Sequence, residues 1–342
     1  MSKRPSMSPW LAALSLTASA IAAGALAPGL SPRLRTVAHL HAASGVPRYA
    51  TKPLPEGGSG QTLRPRAPVP LRTPWGDPDL QGTWDYRTIT PLERPKDLAS
   101  KPVLSDEEAA AFEARTAKAR TDERYYWDRG TKVVPGNRTS LIVDPPDGKI
   151  PPLTAEGRAR VEAARVREQR TDGPEQRNLN ERCITRTLPR LPDLYNNNYL
   201  IAQTPGYVVV LMEMIHDARV IPLDGRPHLS REIRQWHGDS RGRWEGNTLV
   251  VDTTNFTSQT NFRGSAENLH LIERFTRVDV GTIAYEFTVD DPTTFTRPWT
   301  VAMSLNKMDG LLYEYACHEG NDGVADILSI NRAVEKADAG IH

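Results

Sequence analysis

From Tyr199 to Cys317 the chain keeps returning to one pattern: a short run of alternating or continuous apolar residues, then a tight turn. The runs lie near 198–203, 207–214, 218–223, 241–245, 248–254, 268–279, 282–290, 298–305 and 311–317. Thr204-Pro205-Gly206, Asp224-Gly225, Gly246-Asn247 and Val280-Gly281 separate several of them. Apolar runs with a period of two, bounded by such residues, are strands, and short links favour antiparallel pairing of sequence neighbours. So many strands curl or close on themselves, because closure removes exposed edges. The expected fold is therefore mainly β: an antiparallel meander forming a closed or nearly closed, lipocalin-like barrel. A β-sandwich is the alternative.

The hairpin at Val280-Gly281 predicts more, if its loop has two residues. Arg277 then pairs with Ala284, Phe275 with Glu286 and Glu273 with Thr288. Ile272, Arg274, Thr276 and Val278 share the core face with Ile283, Tyr285, Phe287 and Val289. Arg274 is the exception on that face, and a charge there needs a partner or a water-filled cavity. Arg274 facing a ligand is one reading, and a buried ion pair is the other.

Upstream, Asp79–Tyr86 reads as a first strand and Thr139–Val143 as another. Ser105 and Glu108 form a capping-box pair before a helix near 105–118, and Thr154 caps a second, highly charged helix near 154–169. Both belong on the surface. Residues 1–27, with Lys3 and Arg4 before an alanine-rich apolar stretch, have the layout of a signal peptide; a retained anchor is the alternative. Residues 28–74 are Pro-rich and read as a disordered lead-in to one β-rich domain at 75–335. After signal cleavage no segment is apolar enough for stable membrane insertion.

The whole chain carries a formal +1, but residues 1–70 hold eight Lys/Arg against Glu56 alone, leaving −6 for residues 71–342. An acidic folded part argues against nucleic acid as a partner. Two cysteines, Cys183 and Cys317, on a chain with an export signal are expected to form one disulfide.

The chemistry concentrates between Glu213 and Val251. Gly238-Asp239-Ser240-Arg241-Gly242 fits the letter of a nucleophile elbow, but an elbow needs a strand before the serine and a helix after it. Here a strand follows, so Ser240 reads as a turn residue. His216, Asp217, His228, His237, His270, His318 and Glu319 lack the close spacing of a metal site, and no feature implies a cofactor. Acid–base chemistry fits better. His216 or His237, beside Asp239, is the expected base, with Arg219 or Arg243 holding negative charge on a small organic ligand. Trp236, Trp244, Arg274 and His318 complete the expected binding surface. A non-catalytic glycan- or protein-binding module is the competing function. Oligomeric state is not legible from these residues.

Several blocks run through the chain: Thr73–Gly82, Asp144–Gly148, Arg182–Arg186, Gly238–Val251, Glu273–Arg277 and Tyr315–Asn321. Together they resemble a large family of secreted bacterial proteins of uncharacterised function, a resemblance that implies export and one architectural unit. Gly82-x-Trp84 is similar to the Gly-x-Trp signature of the lipocalins, which implies an eight-stranded ligand-binding barrel. The helical insertion after Tyr86 departs from that family's simple order.

Overall fold

A computed structural model describes residues 71–119, 130 and 132–340, all within one compact unit, Glu56–His342. The expected signal peptide and nearly all of the lead-in lie outside the described residues.

The ten strands are β1 (Gly82–Asp85), β2 (Ile142–Asp144), β3 (Asn198–Thr204), β4 (Tyr207–Met212) and β5 (Ala218–Pro222), then β6 (Asp239–Glu245), β7 (Thr248–Thr254), β8 (His270–Arg277), β9 (Thr282–Asp290) and β10 (Trp299–Met308). They form one antiparallel sheet in the order β5-β4-β3-β1-β10-β9-β8-β7-β6, with β2 added to β10. Two meanders, β3–β5 and β6–β10, are thus joined by β1, which pairs with β3 on one edge and β10 on the other. The sheet curls into a nearly closed barrel with one unsealed seam, between β5 and β6.

Three helices flank it: α1 (Asp106–Ala119), α2 (Ala155–Gln169) and α3 (Asp322–Asp338). The capping box before α1 is formed in both directions, with Glu108 N donating to Ser105 Oγ (3.2 Å) and Ser105 N to Glu108 Oε2 (2.8 Å). Thr154 Oγ1 accepts from Gly157 N at 2.9 Å. Each of these two helices buries a single residue, Ala109 or Gly157, as their charged sequences require.

Three expectations are corrected. No strand forms at 311–317: both edges of β10 are already occupied, by β1 and β9, and Leu311 and Tyr313 stand 77% and 74% exposed. Helix α3 follows instead. The β8–β9 loop holds three residues, Asp279–Gly281, because Val278 N bonds Thr282 O at 3.0 Å. Arg277 therefore faces Ile283 rather than Ala284, and this one-residue slip turns β8 over relative to β9. Glu273 now points inward, while Arg274 lies on the outer face and donates to Glu245 Oε2 at 2.9 Å. Arg274 is therefore held in an ion pair outside the barrel rather than turned to its interior.

The barrel interior is filled. Trp84, Tyr199, Ile201, Val208, Phe275, Tyr285 and Phe287 meet in one buried cluster. Trp299 is fully buried between Phe262, Phe287 and Phe295, with ring centroids 6.0, 6.4 and 5.6 Å away. A lipocalin-type hollow is not present among the described residues. Space for a ligand lies at the seam.

Candidate functional site at the barrel seam

Because β5 and β6 are not hydrogen-bonded, their facing edges diverge at one end and are stitched by side chains. At the narrow end Gly242 lets the strands approach: a Cβ there would sit 2.5 Å from Leu223 Cδ2 and 2.8 Å from Ile221 Cγ2. At the wide end a cleft of about 670 Å³ opens, walled by Ala218, Arg219 and Val220 of β5 and by Asp239 and Ser240 of β6. The connection between the two strands closes it with Arg234, Trp236 and His237. A second recess of about 300 Å³ adjoins, sharing Ala218, Trp236 and His237 and adding Thr185, His216 and Asp217.

His237 is the best-organised group in this cleft. Its Nε2 lies 2.6 Å from Thr185 Oγ1 and 3.2 Å from Asp217 Oδ2. Thr185 donates its hydroxyl proton to Asp217 Oδ2 (3.0 Å) and accepts from Thr187 N (3.0 Å); Arg186 N also donates to that oxygen (3.2 Å). With its one hydroxyl proton spent on Asp217, Thr185 can only accept from the imidazole. Nε2 must then carry the proton, so neutral His237 keeps its lone pair on Nδ1. Among the described residues no protein group engages Nδ1, and the ring lines the cleft.

The backbone around this trio is strained. Cys183, Thr187, Ile215 and His216 all adopt left-handed φ values, of 56°, 60°, 60° and 45°. Such values are costly for the β-branched Thr187 and Ile215, and strain of this kind gathers at functional sites. Here it aims Thr185 and Asp217 at the same imidazole.

Arg219 crosses the seam into the interior. Its Nη1 and Nη2 donate to Glu273 Oε1 and Oε2 at 3.1 and 2.6 Å, and Nη2 also reaches Ser240 Oγ and Thr253 Oγ1. Tyr285 donates to Glu273 Oε1 at 2.7 Å. Both ions are buried, so each depends on the other; removing one partner of such a pair typically costs about 3–5 kcal/mol. Arg219 is therefore a cleft wall whose charge is already neutralised. Ser240, buried in a strand and bonded to Arg219 and Thr253, is not placed as a nucleophile.

Behind the cleft runs a chain of charges on β6, β7 and β8. His228 Nδ1 donates to Asp239 Oδ2 and its Nε2 to Asp252 Oδ1, both at 2.9 Å; His270 Nε2 donates to Asp252 Oδ2 at 3.0 Å. Arg241 holds the other Asp239 oxygen at 2.7 Å. A ring that donates from both nitrogens is an imidazolium. The hydrogen bond to Asp252 raises the His228 pKa against burial, with Asp239 adding to it. Burial opposes ionisation of Asp252, but hydrogen bonds from the two histidines carry its pKa far below the usual carboxylate range. Asp239 is thus an anchor for the connecting loop rather than the partner of His237.

No protein-family description, curated protein or solved structure matches this chain. The site is read from its own geometry.

Of the residues expected from sequence, the seam gathers His237, Asp239, Arg219 and Trp236 around one cleft, with His216 in the adjoining recess. His216 Nδ1 bonds Tyr315 O at 3.2 Å and so ties down the C-terminal segment. Arg243 pairs with Glu245 on the exposed face, Trp244 packs against the core and His318 is exposed; none of these three lines the cleft. Thr185 and Arg234 were not anticipated. Arg234 Nη1 donates to the backbone oxygens of Phe256 and Glu267, and among the described residues no carboxylate pairs with it. Its position two residues before Trp236 was the available signal. Among the described residues no group of three or more His, Cys, Asp or Glu is arranged to hold a metal ion. Cys183 and Cys317 are joined in a disulfide.

Proposed function

We propose that the seam cleft binds a small organic anion and that His237 exchanges a proton with it, in lyase- or hydrolase-type chemistry. The observation that carries this reading is the clamped imidazole, with Nε2–H held by Thr185 and Asp217, Nδ1 without a protein partner among the described residues, and the ring lining the cleft. Such a ring is oriented as a general base, and the Asp217 carboxylate steadies the imidazolium formed when it takes a proton. Arg234 supplies the unpaired positive charge for the ligand's anionic group, the role first assigned to Arg219 or Arg243. Thr185 is fully buried and acts by positioning. The protein works in the periplasm or outside the cell. The disulfide, the arrangement of residues 1–27 and the resemblance to secreted bacterial proteins support that placement.

The test is binding and turnover of a panel of small carboxylates, followed by NMR. His237→Ala is expected to remove turnover, by about 100-fold or more, while leaving most of the binding. Arg234→Ala is expected to weaken binding by about tenfold. Carboxylates that bind and react equally well with both variants would overturn the proposal. A second reading, a non-catalytic glycan-binding module, is favoured by Trp236, which is 36% exposed beside the cleft; it predicts binding without any turnover.

A further inference from the structure

A third recess, of about 270 Å³, has Thr185 in common with the second in its lining. Leu179 is its one apolar lining residue. Hydrogen bonding fixes which way its amides point. Asn178 Oδ1 accepts from Glu181 N (2.9 Å) and Asn261 Oδ1 from Gly264 N (2.8 Å), so each keeps its NH₂ group as a donor. Arg182 lines the recess with no carboxylate partner among the described residues. By contrast Arg177 is bound to Glu181, and Arg186 to Asp193.

Glu168 and Glu175 also line this recess, so it offers acceptors as well as donors. A bare phosphate or sulfate would use the donors and be repelled by the carboxylates. A molecule with both hydroxyls and a carboxylate satisfies both sets. Trp236 lines both of the first two recesses and is partly exposed there, an aromatic side chain of the kind on which the C–H face of a sugar ring can rest.

From this lining we infer that the three recesses form one groove for an acidic oligosaccharide, a chain of uronic-acid units. One unit lies at His237 and Arg234, and a neighbouring unit lies against Arg182 and Gln259. The inference rests on the proposed role of the seam cleft and adds the substrate class and a second subsite. It also gives His237 a specific proton, the acidic C–H beside a uronate carboxyl. In that step the base takes the proton, the C–H electrons form a new C=C bond, and the neighbouring glycosidic C–O bond breaks with its electrons on oxygen. The departing oxygen is protonated by water.

Isothermal titration calorimetry with mono-, di-, tri- and tetragalacturonate, and with neutral cellotetraose, tests the second subsite. Affinity is expected to rise by about tenfold from the monomer to the trimer and to be at least about tenfold weaker for the neutral chain. Arg182→Gln and Gln259→Ala should erase the length gain and leave monogalacturonate binding unchanged. Affinity independent of length, a length gain that survives both substitutions, or no uronate binding would overturn the inference. Arg234→Ala separates the two claims. If it weakens galacturonate monomer binding while affinity stays flat with length, the seam cleft stands and the second subsite falls.

Discussion

His237 is held by a hydroxyl, not directly by the carboxylate alone, and that detail sets its tautomer. A threonine with one proton to give and two lone pairs to share leaves the ring a single consistent arrangement. The same accounting at His228 gives the opposite result: two carboxylates demand two protons, and the ring is charged. The His228–Asp252 bond therefore exists in a bounded pH window. The raised His228 pKa means its stabilisation is full below the ordinary value of 6.5 and is lost as pH rises through the raised value. The lowered Asp252 pKa means its share is present above the ordinary 3.8 and is lost as pH falls through the lowered value. His228→Gln should lower stability by about 1 kcal/mol between roughly pH 4 and 6.5, and by less at alkaline pH. Thermal melts of both proteins across that range check this, and a difference that does not change with pH would count against the charged network. Thr185 was not legible in sequence for a related reason. It lies 32 residues before Asp217 and 52 before His237, and meets them only because Cys183 and Thr187 are left-handed. No local pattern announces that turn.

Among the elements, the strands were readable because turn residues and alternation mark them independently of tertiary contacts. The register of β8 against β9 was not. Both faces of β8 carry apolar and charged residues in similar proportion, so one extra loop residue decides which charge goes inside. The inward charge is Glu273, which takes Arg219 as its partner, while Arg274 pairs with Glu245 outside. The seam depends on an equally local feature. Gly242 of β6 packs directly against Ile221 and Leu223, and a larger side chain must displace Ile221, which is fully buried. Gly242→Val is expected to cost about 1–3 kcal/mol by overpacking and to loosen the seam. Chemical denaturation measures the first effect. Faster amide hydrogen exchange in β5 and β6, relative to β8 and β9, reports the second. Unchanged exchange would show that the seam is closed by something else.

For the molecule as a whole, the Cys183–Cys317 bridge spans 134 residues and enters the sheet at neither end. It fastens the segment after β10 to the loop that carries Thr185, beside the cleft. In the chain-entropy account a crosslink over so long a loop contributes about 4–5 kcal/mol. Reduction should lower the thermal midpoint by several degrees. It should also weaken ligand binding, because the Thr185 loop loses its tether. Intact mass before and after alkylation confirms the redox state, and a reduced protein with unchanged melting and binding would remove the bridge from this role.

Strand β1 is four residues long, yet its two neighbours begin at Asn198 and Trp299. A chain emerging from its N-terminus must therefore carry β1 unpartnered until β3 is made, and with one edge open until β10 is made. Until β10 arrives no strand pairing joins the second meander to the first, and only side chains across the seam, such as Arg219 with Glu273, link them. Until then each half shows open flanks of the kind that capture foreign strands. Safe delivery of this protein thus falls to whatever shields the nascent chain, and a ribosome halted before Trp299 releases one chain carrying two unjoined half-sheets in place of a barrel.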